Sequence, residues 1–160
     1  MENKATNTHQ PERRPYFIRT SPATFDLEEK TLEQRQPWFD QFDTSGPYRL
    51  IVQEIDNAVV GFSCSSRLKE KAAYSSSIEV SIYVAEDKKG QGIATHLYQS
   101  LFKVLATESN LHRVYAGITI PNAGSIALHQ KFGFESIGIY HEVGYKLGQY
   151  WDVEWFQKKL

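Results

Sequence analysis

Residues 86–102, EDKKGQGIATHLYQSLF, decide the fold. They join a strand-like run, SIEVSIYVA at 77–85, to a helix-like run through a turn in which Gly90, Gly92 and Ala94 keep bulk away from the main chain. In the first run Ile78, Val80, Ile82 and Val84 alternate with Glu79, Ser81 and Tyr83, the period of a half-buried strand. From Gly92 the period turns helical, with Ile93, Leu97, Leu101, Val104 and Leu105 on one face, and the pattern predicts a helix that fades near 108–110.

The turn admits two readings. In one its glycines serve only the backbone geometry of a strand-to-helix connection. In the other the N–H groups of Lys89 to Ala94 approach an anion closely while the helix start points its positive end at the same spot, a cradle that suits a pyrophosphate. A dinucleotide fingerprint is excluded, because Gly90-Gln91-Gly92 lacks a third glycine three residues on, and a P-loop is excluded because no Gly-Lys-Ser/Thr follows.

Outward from the turn, YRLIVQEI, Asp56-Asn57 and AVVGFSCSSRL read as a hairpin, and RVYAGITI at 113–120 as a further strand. AGSIALHQKF suits a short packed helix through Ile126, Leu128 and Phe132, closed by Gly133 as a left-handed cap. ESIGIYHEV and YWDVEWFQKKL read as two closing strands. Ahead of the hairpin, TLEQRQPWFDQF has Thr31 as N-cap and Leu32, Gln36 and Phe39 at helical spacing, with a kink or restart expected at Pro37. The order helix, β-β-β, helix, β, helix, β-β gives an α+β (mixed α/β) class with one parallel pair in an otherwise antiparallel sheet.

A chain of 160 residues suits one domain, expected over 16–160, behind a polar, proline-containing and mobile tail at 1–15. A net charge of −1 offers no field for nucleic acid or anionic lipid. No run reaches the length of a membrane span and no signal peptide is evident, so a cytoplasmic protein is expected. Cys64 is the only cysteine, which leaves no intramolecular disulfide, and its place in VVGFSCSS reads as a strand residue. No metal is expected.

VSIYVAEDKKGQGIATHLYQSLF resembles the Arg/Gln-x-x-Gly-x-Gly/Ala signature of the GNAT superfamily of N-acetyltransferases, with Lys89 at the first position and Gly90, Gln91, Gly92, Ile93 and Ala94 after it. AAYSSSIEVSIYV, AGITIPNAGSIALHQKFGFESIGIYHEVGYKLGQYWDVEW and TSPATFDLEEKTLEQR look like the phosphinothricin N-acetyltransferase group, across residues 20–157. The resemblance implies acetyl-CoA as co-substrate, held by the cradle from Lys89 to Thr95. Its pantetheine arm would run along Ile82, Tyr83 and Val84 where that strand parts from RVYAGIT, with Asn122 and Ser125 also on the cofactor.

The resemblance further implies Glu79 as general base, because an amine with pKa near 8 is largely protonated at neutral pH and must lose a proton before it attacks. A strand N–H near Val84 would face the oxygen that becomes negative, and His129 would serve as acid. Phe25, Lys71 and Tyr74 align with positions that line the amino-acid pocket. His96, His112 and His141 read as structural.

This sequence also departs from the group. Lys71 stands where arginine is usual, and Leu147 and Tyr150-Trp151 stand where His and Trp-His are usual, so methionine sulfoximine, methionine sulfone or another small amino acid is as plausible an acceptor as phosphinothricin. PERRPYFIRT enters SPATF almost at once, so the group's first helix is expected to be missing, and a homodimer is expected to cover the face left bare. Two rivals follow: the same fold as a catalytically weak or inactive acyl-CoA-binding sensor, and an enzyme for protein N-termini or ribosomal proteins.

Overall fold

The computed structural model describes residues 21–160. The tail expected at 1–15, the domain start at 16 and the missing first helix concern residues 1–20, outside the described residues. The described elements are α1 (Leu32–Asp40), β1 (Leu50–Ile55), β2 (Ala58–Arg67), β3 (Ser77–Val84), α2 (Ile93–Leu105), β4 (Arg113–Ile120), α3 (Ala123–Lys131), β5 (Glu135–Lys146) and β6 (Gln149–Lys159). The strands form one sheet in the order β1-β2-β3-β4-β6-β5, antiparallel throughout except between β3 and β4. No helix among the described residues is long and apolar enough to cross a membrane.

Local chemistry accounts for most of these boundaries. Asp56 and Asn57 take φ of 51° and 60°, a left-handed pair that these short polar side chains tolerate and that matches the twist of the β1–β2 hairpin. Gly133, at φ +81°, ends α3 as its sequence predicts. The second helix is shorter than expected and stops at Leu105, where the apolar face ends and Ala106 caps.

Two elements differ from expectation. The helix does not restart at Pro37; α1 runs through it as one nine-residue element. Proline there forfeits one bond, to the carbonyl of Glu33, while both ends are secured: Thr31 and Gln34 form a reciprocal capping box, and Gln41 Nε2 donates to the Trp38 carbonyl at 2.8 Å. Leu32 and Phe39 remain exposed, and Trp38 supplies the packing instead, its ring 6.0 Å from that of Phe62. Strand β5 extends to Lys146, beyond the expected end at Val143, because an irregularity between Tyr140 and Gly144 lets pairing with β6 resume.

Ser63 donates to the carbonyl of Leu97 at 3.1 Å, so the sheet face of Ser63 and its β3 partner Ile82 lies against α2. On that side Leu97, Tyr98, Leu101 and Leu105 are fully buried, most of them in one core with Ile78, Val114 and Phe156, and Ile126 and Leu128 of α3 join it. Each such side chain contributes roughly 1.5–3 kcal/mol through removal from water. Phe62 and Tyr83 point the other way, toward Trp38 of α1, which puts helices on both faces.

Candidate active site

β3 and β4 pair only at their starts, Ser77 with Arg113, Ile78 with Val114 and Glu79 with Tyr115. Beyond Glu79 they part, and a cavity of about 540 Å³ opens between Val80–Val84 and Gly117–Thr119, continuing to the start of α2 and along α3. Main-chain groups of β3 that a neighbouring strand would have used are left for another partner.

The turn into α2 forms one wall. Gly90 and Gly92 take φ of +76° and +78°, and a Cβ at either would meet nothing within 4 Å. Backbone conformation, not crowding, therefore requires glycine here. Gly92 caps α2, and the first-turn N–H groups that follow have no intrahelical acceptor. Lys89, Gly90, Gly92, Ile93, Ala94 and Thr95 all line the cavity, as does Lys88. Gln91 does not line it, and its side chain donates back to the Asp87 carbonyl at 3.4 Å. Lys131 Nζ lies 3.5 Å from Thr95 Oγ1 and adds positive charge beside the cradle.

Ile82, Tyr83 and Val84 line the cavity along β3, and Asn122 and Ser125 line it from α3. Asn122 Oδ1 accepts from the Ser125 N–H at 3.2 Å, which caps α3 and leaves the amide NH2 of Asn122 for a ligand. His129 is buried and lines the cavity. Its Nδ1 donates to the Ser125 carbonyl at 2.7 Å, which fixes the tautomer and leaves Nε2 to accept from the Tyr98 hydroxyl at 2.8 Å. Burial lowers the imidazole below its ordinary value and the Ser125 carbonyl only partly offsets this, so His129 is neutral at pH 7. Tyr98 is wholly buried, which holds its hydroxyl protonated.

Sequence reasoning missed Tyr98. The available signal was its place four residues after Ala94, on the helix face that Ala94 turns to the cavity.

Glu79 occupies the last paired position before the strands part, beside Ser66 of β2 and Tyr115 of β4. It projects from the face opposite Ile78 and Val80 and does not itself line the cavity, which begins at Val80. Burial raises its carboxyl above the usual range, with Lys69 acting in the other direction. Phe25, Lys71 and Tyr74 do not line the cavity either. Phe25 sits against Gly144 of β5, while Tyr74, in the single-turn 3-10 helix Ala72–Tyr74 ahead of β3, and Lys71, which precedes that helix, are exposed.

The model of the acetyltransferase (GNAT) domain matches residues 10–155. The chain belongs to the GNAT acetyltransferases. It is 46% identical over 147 residues to the phosphinothricin N-acetyltransferase of Streptomyces coelicolor, covering 91% of this chain and 85% of that one. Over 129 residues it is 33% identical to the L-methionine sulfoximine/L-methionine sulfone acetyltransferase of Pseudomonas aeruginosa, covering 81% and 74%. Among solved structures, the phosphinothricin acetyltransferase of Sinorhizobium meliloti in complex with acetyl-CoA superposes with a TM-score of 0.86 at 26% identity, covering 94% and 80%.

This GNAT enzyme is therefore an N-acetyltransferase that uses acetyl-CoA. Its residues fit that co-substrate: the first-turn N–H groups of α2, without intrahelical acceptors, and nearby lysines for a diphosphate, and the edge of β3 that β4 leaves open beyond Glu79 for an amide-bearing arm.

Proposed function

We propose that this acetyltransferase acts on the α-amine of a small amino acid or analogue, of the phosphinothricin or methionine sulfone type, by direct transfer with Glu79 as general base. The observation that carries this reading is the position of Glu79: a carboxylate raised by burial, at the last paired residue before β3 and β4 part and next to the first residue of the cavity. A carboxyl with a raised pKa is better matched to taking a proton from an ammonium near neutral pH than an ordinary one.

Bound acetyl-CoA supplies an acetyl group activated as a thioester. The N–H groups from Gly90 to Thr95, with Gln91 contributing main chain only, hold its diphosphate, and Lys89, whose own N–H goes to the Glu86 carbonyl, stands beside it as a positive charge; Ile82, Tyr83, Val84, Asn122 and Ser125 hold its arm. The β3 main chain near Val84 offers an N–H to the carbonyl oxygen as it gains charge. As the carbon–sulfur bond breaks, the Tyr98 hydroxyl, held until then on Nε2 of neutral His129, turns its proton to the departing thiolate, and the phenolate left behind regains a proton from solvent as coenzyme A leaves. Phe25, Lys71 and Tyr74 surround the acceptor, and Lys71 meets its acidic group as a point charge rather than a two-pronged fork.

Residues 16–160 act as one domain, and the enzyme works as a homodimer. Edge strand β5 supports the latter, since Ile137, Ile139, Tyr140, Val143 and Tyr145 are each at least 41% exposed. Sedimentation velocity should give twice the chain mass; a monomer at high micromolar concentration contradicts this. For the activity, purified protein is mixed with acetyl-CoA and a panel of amino acids that includes phosphinothricin and methionine sulfone, and thiol release is followed. Turnover with at least one α-amino acid and none with its N-methylated acid-free amine analogue is expected; failure with every amino acid would overturn the reading.

A further inference from the structure

Lys146 ends strand β5 and is 4% exposed, an unusual place for an ammonium group. Its Nζ donates to the carbonyl of Ser21 at 2.8 Å and also to that of Thr24, both more than a hundred residues away in sequence. Asp26 lies close enough to favour its charged form while burial opposes it. A buried charge is tolerable only where hydrogen bonds and counter-charge replace water, and these groups provide that replacement. The carbonyl of Lys146 accepts from Trp151 Nε1 at 2.8 Å, which steadies the β5–β6 turn from which the side chain projects.

Two residues earlier on the same strand, Gly144 serves the same segment. A Cβ there would lie 2.3–2.7 Å from three ring carbons of Phe25, so the ring rests directly on the glycine backbone. Gly144 is not in the left-handed region, and close approach is its reason for being glycine. Within the segment, the Ala23 N–H to Ser21 Oγ and Asp26 N–H to Thr24 Oγ1 bonds shape the turn but do not attach it to the sheet. Ala23, at its centre, lines the cavity between β3 and β4.

We infer that Lys146 and Gly144 are positioning residues for the acceptor: the ammonium and the bare glycine backbone seat the 21–26 turn against the sheet, with the Phe25 ring on Gly144 and Ala23 walling the amine's side of the cavity. This rests on the amino-acid reading above. Lys146 touches no reacting atom and works through the turn. Its effect therefore falls on acceptor binding and leaves the diphosphate cradle, built by α2, unaffected.

The test uses the full chain, with Lys146→Met to remove the donors and Gly144→Ala to displace the Phe25 ring without touching the lysine. Against the amine that the wild type turns over, each variant should raise the acceptor KM about tenfold or more while the acetyl-CoA KM stays within about twofold, since only one side of the cavity is loosened. Hydrogen exchange should become faster at amides 21–26 in Lys146→Met and stay unchanged in α2. An unchanged acceptor KM in both variants overturns the inference, and so does an equal rise in both KM values, which marks a general loss of fold. If Lys146→Met does not fold, Gly144→Ala alone decides. If the wild type acetylates no amino acid, the functional reading fails and the acceptor role fails with it. The exchange arm then separately decides whether Lys146 holds the turn, and unchanged protection at 21–26 removes that as well.

Discussion

The Tyr98 hydroxyl donates to Nε2 of His129 across 2.8 Å, and both side chains are buried at the wall of the cavity. Phe134, Phe156 and Tyr98 rings surround the imidazole at 5.1, 6.2 and 5.3 Å, so the pair is enclosed by aromatic surface and the two groups satisfy each other. Tyr98→Phe leaves Nε2 without its donor in that apolar shell, at a cost of about 1–3 kcal/mol. The variant should melt several degrees lower and lose turnover about tenfold or more while the acetyl-CoA KM changes little. Unchanged turnover removes Tyr98 from the chemistry.

His129 also sets a pH dependence of stability. Its folded pKa lies below the unfolded value near 6.5, so as pH falls through that value the unfolded chain takes up a proton that the folded one refuses. Stability contributed by the neutral imidazole is thus present above about pH 6.5 and is lost progressively below it, at up to about 1.4 kcal/mol per pH unit until the folded group titrates. Urea titrations between pH 7 and 5 should show this loss, and His129→Gln should flatten it. A wild-type profile as flat as the variant's contradicts the assignment.

As the proposed general base, Glu79 should give the activity its acidic limb. Burial raises its carboxyl and Lys69 lowers it, so Lys69→Met should move the limb of kcat/KM to higher pH, because the ionised base loses its nearby cation. A shift to lower pH, or none, argues against Glu79 as the titrating group.

Gly92→Ala separates geometry from contact. The new Cβ meets nothing within 4 Å, so the expected cost is the strain of φ +78°, about 1–2 kcal/mol. The strain should be relieved by rotating the first N–H groups of α2 away from the cavity. Coenzyme A affinity measured by calorimetry should therefore fall, and affinity equal to wild type contradicts the cradle.

Much of this fold is legible in the sequence because its signals are local. Alternation in SIEVSIYV, the Asp56-Asn57 turn and the closing Gly133 each act within a few residues and so show in the sequence. The continuity of α1 through Pro37 does not, since its cap at Thr31 and the Gln41 contact outweigh one missing bond. The site divides in the same way. The Gly90–Thr95 turn follows from neighbouring residues, whereas the Tyr98–His129 bond joins side chains 31 residues apart on two helices and the Lys146–Ser21 bond spans 125 residues. Such contacts depend on how elements pack, and no periodicity reports them. Phe25, Lys71 and Tyr74 are implied by family resemblance alone, and none lines the cavity that the parted strands create.

The most direct measurement compares Glu79→Gln with wild type, following thiol release with the preferred amino acid and coenzyme A affinity by calorimetry in the same preparations. Loss of the base should reduce kcat about 10²- to 10⁴-fold at pH 7 while coenzyme A affinity remains within about twofold. Turnover close to the wild-type rate, with cofactor affinity intact, would contradict the central claim that this carboxylate takes the amine's proton where β3 and β4 part.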